Sequence, residues 1–573
     1  MRGIRWLRGV LGWGFCLTVV GCSVACSDPA SPESPEPPAV PGVTPPVGPP
    51  PETPGSGTPE PETPPAEQEP GQPPASSVCA PTAGAARWVL EGEALSAQIT
   101  CGTGYAAQGL RFAVENLPPG ARFDAASATL SWTPGKDQAA VWNLVLKEES
   151  TGEKGTLKVG VADNRAAPGN VPIVNAAAYT EEYGLPVLHL THDERGLTAG
   201  EYRPVQIVYR GKPYTIEAKY RGATSSVFPK RSLTLKFPDE DLFNEPVFGG
   251  GFTDRKRVVL ITTFNDNSYM RSRLAFDLWN RMDPAHVQIR TFSAVLYVNN
   301  RYRGMYTVAD HINKRLLAAH GLSKDSDLFK AVDKDANFSR LRKDGTPKAG
   351  LYEGLEKEEG IPEEGKPHAF DTLSGLIGFV SDSDATTFRE GFGARLAGND
   401  YQDWWIFNTL ILGTDSQGKN AYHAFDPSTG GPWRFIPWDL DASFGQNFDT
   451  TRSSPTARPT FAEDNLLFSR MLAEPALADP MRERYQNLLR NELKLETVLS
   501  LIDGYVQETG PAARRDWAEW STAYQAFGAP GTIGQPNFPR WNSRQDFTTY
   551  EQEVEYVREW VKARWPSLQG RLP

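Results

Sequence analysis

Apolar residues occupy every second position in several short segments between residues 79 and 163. Alternation of this kind is typical of strands that bury one face, and turns that contain Pro and Gly separate the segments. The alternating residues are Leu110, Phe112, Val114, Leu130, Trp132, Trp142, Leu144 and Leu146. Short strands joined by such turns predict a small β-sandwich over 79–163.

A mixed pattern follows. Residues 205–237 alternate as strands, and the segments 292–298 and 302–308 alternate on either side of Asn299-Asn300, which has the composition of a hairpin turn. Other apolar residues are spaced for the buried face of a helix instead. These are Leu274, Leu278 and Met282. The mixture predicts an α+β domain over 170–450.

The last part of the chain has a helical period. Met481 to Leu493 and Val554 to Trp565 place apolar residues three and four positions apart, with charged residues on the other face. We expect a helical C-terminal extension over 451–573 that braces the preceding domain. The predicted fold class is therefore a multidomain protein with a small β-sandwich, an α+β domain and this extension.

One apolar run near the N-terminus fits neither pattern. The run from Val10 to Val20 follows three arginines and ends in small residues, which is the layout of an export signal, and it is too short to span a bilayer. Residues 19–22 resemble a bacterial lipobox. We expect 1–26 to be a lipoprotein signal with Cys22 as the lipidated residue and Cys26 as a second candidate; a plain cleaved signal is the alternative.

Residues 27–78 hold more than a third of the 48 prolines and contain no aromatic residue. Such a segment cannot bury a core, so an extended, disordered tether is expected. Signal, lipid and tether together predict a protein exported and lipid-anchored to the cell envelope or outer membrane surface. In an exported chain, Cys79 and Cys101 predict a disulfide rather than a zinc site.

The predicted sandwich also carries a recognisable motif. Leu117-Pro-Pro-Gly-Ala-Arg-Phe-Asp124, followed by Ser131-Trp-Thr-Pro-Gly135, resembles immunoglobulin-like or cadherin-like modules of bacterial surface proteins. That resemblance implies either a spacer or a unit that binds a partner.

Charge narrows the classes of function. The chain has 70 Asp and Glu against 59 Lys and Arg, and no basic run stands outside the signal, which disfavours nucleic-acid binding. The seven histidines are scattered without a His-Glu-x-x-His run, which disfavours a metalloprotease.

The candidate chemistry lies between residues 415 and 441. Asp415 and Asn420 stand five apart with Lys419 between them, the spacing with which a protein kinase catalytic loop places a base and a metal ligand. Asp439 and Asp441 follow about twenty residues later, and carboxylate oxygens are the ligands that Mg²⁺ prefers. The pattern predicts phosphate transfer from a nucleotide.

A second set of residues could bind the nucleotide phosphates. Small residues in the loop 221–226 would let backbone amides approach phosphate oxygens, and nearby lysines would neutralise charge. Asp310 could orient such a lysine or cap a helix, and Lys330 could line the nucleotide cleft or lie on the surface. The candidates are Gly222, Ser225, Ser226, Lys230, Lys236, Asp310 and Lys330.

These pieces occur in an order that resembles the spore coat protein H (CotH) kinase-like family of atypical secreted kinases. The resemblance rests on the segments 221–226 with Lys230, 267–271, 297–299 with 304–306, 328–330, 415–420 and 438–441. It implies a kinase-like fold, ATP with Mg²⁺ or Mn²⁺, and a protein substrate outside the cytoplasm. One position departs from the family pattern, because Asp310 stands where Glu is usual.

The resemblance also implies roles. Asp415 would accept the proton of the attacking hydroxyl, Lys419 would steady the γ-phosphate, and Asn420, Asp439 and Asp441 would hold the metal ion. Lys230, or less favourably Lys236, would contact the nucleotide phosphates. Two alternatives stay open: a surface adhesin that keeps the fold without turnover, and a nucleotidyl transferase that uses the same metal site.

Overall fold

The computed structural model describes residues 79–102, 109–164, 174–222, 224–459, 461–527, 545–546 and 548–569. The predicted signal with Cys22 and the predicted tether over 27–78 lie outside the described residues. Among the helices of the described part, none combines the length and the apolar character that a membrane span requires.

The first domain is the predicted pair of sheets. One sheet has the strand order β2-β9-β8-β5 and the other β3-β7-β6, and alternating residues such as Leu130, Trp132, Leu144 and Leu146 form one core between them. A disulfide joins Cys79 to Cys101, with 5.1 Å between their Cα atoms. The strands are β1 Pro81–Thr82, β2 Arg87–Leu90, β3 Leu95–Gln98, β4 Thr100–Cys101, β5 Phe112–Glu115, β6 Arg122–Asp124, β7 Thr129–Trp132, β8 Ala140–Glu148 and β9 Lys154–Ala162.

The next part of the chain forms an eight-stranded sheet that closes on itself. Its order is β10-β11-β12-β13-β14-β17-β19-β18, and a parallel pairing of β11 with β18 completes the ring around an apolar interior. Strands β15 and β16 form a separate hairpin. The strands are β10 Glu181–Glu182, β11 Leu185–Thr191, β12 Arg203–Tyr209, β13 Lys212–Arg221, β14 Ser232–Lys236, β15 Phe243–Glu245, β16 Phe252–Arg255, β17 Arg257–Thr262, β18 Thr291–Val298 and β19 Arg301–Asp310.

The predicted hairpin between β18 and β19 is confirmed. Asn299 and Asn300 have φ values of 47° and 60°, the left-handed conformation that a two-residue hairpin turn requires and that Asn tolerates well. Asp310, one of whose two expected roles was to cap a helix, does not do so, because it is the last residue of β19. The next helix begins at Lys314, where the Asn313 side chain accepts hydrogen bonds from the first free backbone amides.

A separate four-stranded sheet, with the order β21-β20-β22-β23, packs against helices. Its strands are β20 Asp327–Ala331, β21 Leu355–Glu359, β22 Ala421–Phe425 and β23 Arg434–Pro437. The helices are α1 Arg271–Met282, α2 Lys314–Ala319, α3 Asp371–Asp382, α4 Ala385–Arg395, α5 Gly398–Ile411, α6 Phe461–Asp464, α7 Leu466–Ala473, α8 Pro475–Arg490, α9 Leu495–Ala526 and α10 Tyr550–Gln569. Leu274, Leu278 and Met282 are buried on α1, as predicted.

The C-terminal helices share the main core rather than forming a separate one. One apolar cluster contains buried residues of α1, of α5 and of the sheet formed by β20–β23. It also contains Val498 and Ile502 of α9 and Trp560 and Trp565 of α10. The predicted boundary at residue 450 is therefore not a boundary between cores.

Candidate active site

The hairpin of β22 and β23 brings two of the predicted metal ligands together. Ala421 pairs with Pro437, so Asn420 and Trp438 face each other at the open end, where the Trp438 amide donates to the Asn420 carbonyl at 3.0 Å. Asn420 and Asp439 both have φ of 58°, which is uncommon for residues with a side chain and clusters at functional sites. Antiparallel pairing thus places Asn420 beside Asp439.

Helix α5 positions Asp415. The helix core residues Trp404 and Asn408 donate side-chain hydrogen bonds to the Ser416 carbonyl at 3.3 and 2.6 Å, which holds the loop after the helix. Gly418 is needed in this loop, because a Cβ there would lie 2.6 Å from the Ala336 carbonyl oxygen. The apolar residues of α5 that precede Asp415 lie in the main core.

The side chains of the predicted catalytic loop contact one another. The Lys419 ammonium lies 2.7 Å from Oδ2 of Asp415. The Asn420 amide donates to the same oxygen at 3.1 Å and to the Asp415 carbonyl at 3.2 Å. These contacts orient the Asp415 carboxylate, whose side chain is only 11% exposed.

The surroundings of Asp439 and Asp441 raise the pKa of both carboxyl groups. Desolvation by the crowded surroundings raises the pKa of Asp439, although its side chain reaches solvent, and the charge of Asp415 raises it further. Desolvation, with the charge of Asp439 next, raises the pKa of Asp441 to about 7. Three carboxylates therefore repel one another here, and a bound cation would relieve that repulsion.

Basic residues surround these carboxylates. The cations that act most strongly on Asp439 are Arg221, Lys419 and Lys330. The Arg221 guanidinium also lies 5.0 Å from the centre of the Trp438 ring. Lys330 is partly exposed on β20, with its ammonium 3.8 Å from a Glu358 carboxylate oxygen. Lys330 is therefore a partly exposed lysine that lies near the candidate site.

The predicted phosphate loop begins beside this cluster. Arg221 ends β13, and Gly222 follows with φ of 105°; a Cβ at Gly222 would lie 2.0 Å from the Ser225 hydroxyl. A 3₁₀ turn, Thr224–Val227, contains Ser225 and Ser226. Gly222 is therefore required for a tight turn that leaves Arg221 near Asp439.

Lys230 does not lie free to bind phosphate. Its fully buried ammonium contacts Asp516 of α9 at 2.6 Å, the Met305 carbonyl at 2.7 Å and the Thr263 hydroxyl at 2.9 Å. Gly304 makes room for this pair, since a Cβ there would meet the Asp516 carboxylate at 1.8 Å. The predicted phosphate-binding lysine is instead saturated by protein groups.

The predicted pairing of Asp310 with a phosphate-binding lysine is wrong. Asp310 accepts from Arg255 Nε at 2.5 Å and from the Arg290 amide at 2.9 Å, because its place at the end of β19 faces those residues. Lys236 is also occupied, in an ion pair of 3.1 Å with Glu217.

Three residues that shape the site had not been predicted from the sequence. The Asn265 side-chain amide donates to Asp441, Arg221 accompanies Asp439, and Asp516 neutralises Lys230. Arg221 stands in the segment 221–226, which carried the family resemblance and was a usable signal, whereas Asn265 lies two residues before the segment 267–271. Asp516 had no such signal, because it lies 286 residues from its partner.

The oxygen atoms that could bind a divalent cation are those of Asp439 and Asp441 together with the side-chain carbonyl of Asn420. Within the described residues, no group of three or more His, Cys, Asp or Glu side chains is arranged to hold a metal ion. The Asn420 Nδ2 is bonded to Asp415, whereas its Oδ1 accepts no hydrogen bond from the described residues. Two carboxylates and one amide oxygen are oxygen donors of the kind that Mg²⁺ or Mn²⁺ takes.

Replacing Asp441 by Asn is expected to stabilise the metal-free protein, and more at pH 8 than at pH 5. A folded-state pKa near 7, above the ordinary value, means that the favourable protonated state is lost as pH rises from about 4 through 7. Asn cannot ionise, so the melting temperature in EDTA should rise by about 1–3 °C at pH 8. The exposed Asp371→Asn is the control, and an equal gain at both pH values would contradict the assignment.

Comparison with known proteins gives one result. The model of a protein family described as CotH kinase protein matches residues 218–568, which is more than half of the chain and includes the C-terminal helices. A search of curated proteins found no match. The matched range contains the loop after β13, the Asp415 loop, the β22–β23 hairpin and Asp516. On this evidence the chain belongs to the CotH kinase protein family.

Proposed function

We propose that this chain is an atypical kinase that transfers the γ-phosphate of ATP to Ser or Thr hydroxyls of a protein outside the cytoplasm. The observation that carries the proposal is the meeting of three carboxylates and three cations at the ends of β13, β20 and the β22–β23 hairpin. They are Asp415, Asp439, Asp441, Arg221, Lys330 and Lys419. Phosphoryl transfer needs this mixture, because carboxylates hold the metal ion and cationic side chains neutralise the charge of the phosphate oxygens.

Each side chain has a role that its contacts support. Asp415, fixed by Lys419 and Asn420, would accept the proton of the acceptor hydroxyl. Lys419 would exchange part of its pairing with Asp415 for the transferring phosphate. Asn420, Asp439 and Asp441 would hold a divalent cation, which when bound would neutralise phosphate charge. Asn265 would keep the Asp441 carboxylate in place.

The nucleotide phosphates would be held by Arg221 and Lys330 rather than by Lys230. Arg221 offers a guanidinium that can bind phosphate through two parallel hydrogen bonds, and its neighbour Gly222 frees the backbone for a close approach. Lys230 is fully buried and already has an acid partner. A phosphate could reach Lys230 only by displacing Asp516.

Replacing Arg221 by Ala is therefore expected to raise KM for ATP about tenfold, with a smaller change in kcat. The reason is the loss of a bidentate phosphate contact that is present in both ground state and transition state. Lys236→Ala is the matched control, since Lys236 is paired with Glu217 and should leave KM unchanged. Steady-state kinetics at varied ATP measures both, and an unchanged KM in Arg221→Ala would remove Arg221 from the nucleotide site.

Labelled ATP tests the reaction itself. The purified chain is incubated with γ-labelled or α-labelled ATP, Mg²⁺ or Mn²⁺, and a mixture of exported proteins. Transfer of γ label alone, lost in Asp415→Ala, is the expected result. Transfer of α label would instead establish a nucleotidyl transferase, and transfer of neither would favour a surface adhesin that keeps the fold.

The proposed place of action is the cell envelope. The export signal, Cys22 and the tether over 27–78 would hold the described domains at a membrane surface through a lipid. Metabolic labelling with a fatty acid, compared between the wild type and Cys22→Ala, tests the anchor directly.

A further inference from the structure

A basic cleft opens on the ring-shaped sheet, apart from the carboxylate cluster. Its volume is about 410 Å³, and none of the residues that line it is acidic. The lining residues are His192, Tyr220, Val298, Asn299, Arg301 and Arg303. Apart from Val298, each of these side chains carries hydrogen-bond donors, so the cleft favours an anionic occupant.

The two arginines are available to such an occupant. Arg301 and Arg303 stand two apart on β19, at a point where its register with β18 shifts, and both line the cleft. Neither forms an ion pair with any residue in the described part of the chain, although the protein as a whole is acidic. The Arg303 guanidinium packs 5.3 Å from the centre of the Trp520 ring, which fixes its position without neutralising its charge.

A hydrogen bond between two of the remaining lining residues holds the wall of the cleft in place. The His192 amide donates to the Asn299 side chain at 2.9 Å, which joins the loop after β11 to the turn of the hairpin. Tyr220, on β13, also lines the cleft. A cleft of this size is far larger than one carboxylate or phosphate group needs, so the occupant should carry several groups.

We propose that this cleft, named here the β19 cleft, docks an acidic segment of the protein substrate, with Arg301 and Arg303 holding its anionic side chains. The proposal rests on the proposed protein kinase function. Tyr220 in the cleft and Arg221 at the carboxylates are neighbours on β13, and successive side chains point to opposite faces of a strand. A substrate docked in the cleft would thus reach the catalytic side around the end of one strand.

A protein segment fits the cleft better than a nucleic acid does. Binding to a nucleic-acid backbone needs a long basic surface, whereas this chain has a formal net charge of −11 and the cleft holds only two arginines among its lining residues. Guanidinium groups match carboxylate and phosphate equally, so both aspartate or glutamate and phosphorylated side chains are candidates.

Fluorescence anisotropy with the whole chain tests the proposal. The probes are a labelled Glu-rich peptide, a phosphoserine peptide and a Lys-rich peptide of equal length, and a short single-stranded RNA. The Glu-rich or the phosphoserine peptide should bind, and the stronger of the two identifies the anionic group. Arg301→Glu, at an exposed position, should weaken that binding about tenfold, because a hydrogen bond to a charged group is lost and a repulsion gained.

Arg340→Glu is the matched control, since Arg340 is also exposed and its replacement changes the net charge by the same amount. The proposal is overturned if Arg301→Glu binds the acidic probes like the wild type, if Arg340→Glu weakens them equally, or if only RNA binds. Measurements in an Asp415→Asn background without nucleotide keep the result independent of catalysis. The anisotropy experiment thus tests docking alone, and the experiment with labelled ATP tests phosphate transfer alone. A failure of one proposal can therefore be told apart from a failure of the other.

Discussion

Replacing Asp415 by Asn is expected to lower the rate of phosphate transfer by about 10²–10⁴-fold, the range for loss of a general base. Asn keeps the shape of the side chain but cannot take up the proton of the acceptor hydroxyl. The contacts to Lys419 and Asn420 lie at a partly exposed loop, so the fold should persist. Transfer of γ label under single-turnover conditions measures the chemical step, and thermal unfolding reports the fold.

Two comparisons make this result specific. Asp371→Asn changes a carboxylate that is 70% exposed and pairs with His368, so it should leave the rate unchanged. Asp439→Asn should also reduce the rate, but with a requirement for more Mg²⁺ or Mn²⁺, because it removes a proposed metal ligand. An Asp415→Asn variant with wild-type transfer would show that Asp415 is a turn residue and that the catalytic base lies elsewhere.

The largest effect on stability is expected at Lys230. Replacing Lys230 by Met should reduce the free energy of unfolding by about 3–5 kcal/mol, because it leaves the Asp516 carboxylate buried without a counter-charge. Both side chains are nearly inaccessible, at 0% and 2% exposure. Asp516 also accepts from the Met305 amide at 2.6 Å, so the pair ties α9 to β19.

A double variant separates the structural role of this pair from a role in nucleotide binding. Lys230→Met with Asp516→Leu removes both charges and should recover much of the lost stability, since buried ion pairs are often replaceable by apolar groups. Lys236→Met, which breaks a surface pair with Glu217, should cost about 0–1 kcal/mol. Chemical denaturation measures all three.

The alternative outcome is equally clear. If Lys230→Met unfolds like the wild type and raises only KM for ATP, then Lys230 binds the nucleotide in solution and the pairing with Asp516 opens when ATP enters. If stability falls and KM in the surviving protein is unchanged, Lys230 is a structural residue. The burial and the three contacts of the ammonium favour the second result.

Much of the candidate site could be predicted because its members are near one another in sequence. Asp415, Lys419 and Asn420 occupy one loop, and Asp439 stands one hairpin further on. In this hairpin Ala421 pairs with Pro437, so the register of the strands places residue 420 opposite residue 438. The Pro–Gly turns and alternating residues of the first domain were equally local, and its strands and disulfide appear where they were expected.

The errors have a common physical origin. Asp310 was expected to orient a phosphate-binding lysine or to cap a helix, yet it is the last residue of β19 and accepts a hydrogen bond from Arg255. A sequence pattern reports that a charged residue follows a strand, but not which neighbour the sheet brings to it. Whether a lysine is free or neutralised depends in the same way on a partner from another element.

The sequence by itself determined the alternating strands of the first domain, the buried face of α1, the two-residue hairpin at Asn299-Asn300 and the spacing of Asp415 and Asn420, because these depend on backbone preferences and on residues close in the chain. Only the tertiary structure decided that Lys230 is paired with Asp516 and that Asn265 holds Asp441, partners 286 and 176 residues apart. Packing of α9 and the loop before α1 creates those contacts. Burial, which sets the charge that each group can carry, is a property of the assembled core and not of any segment.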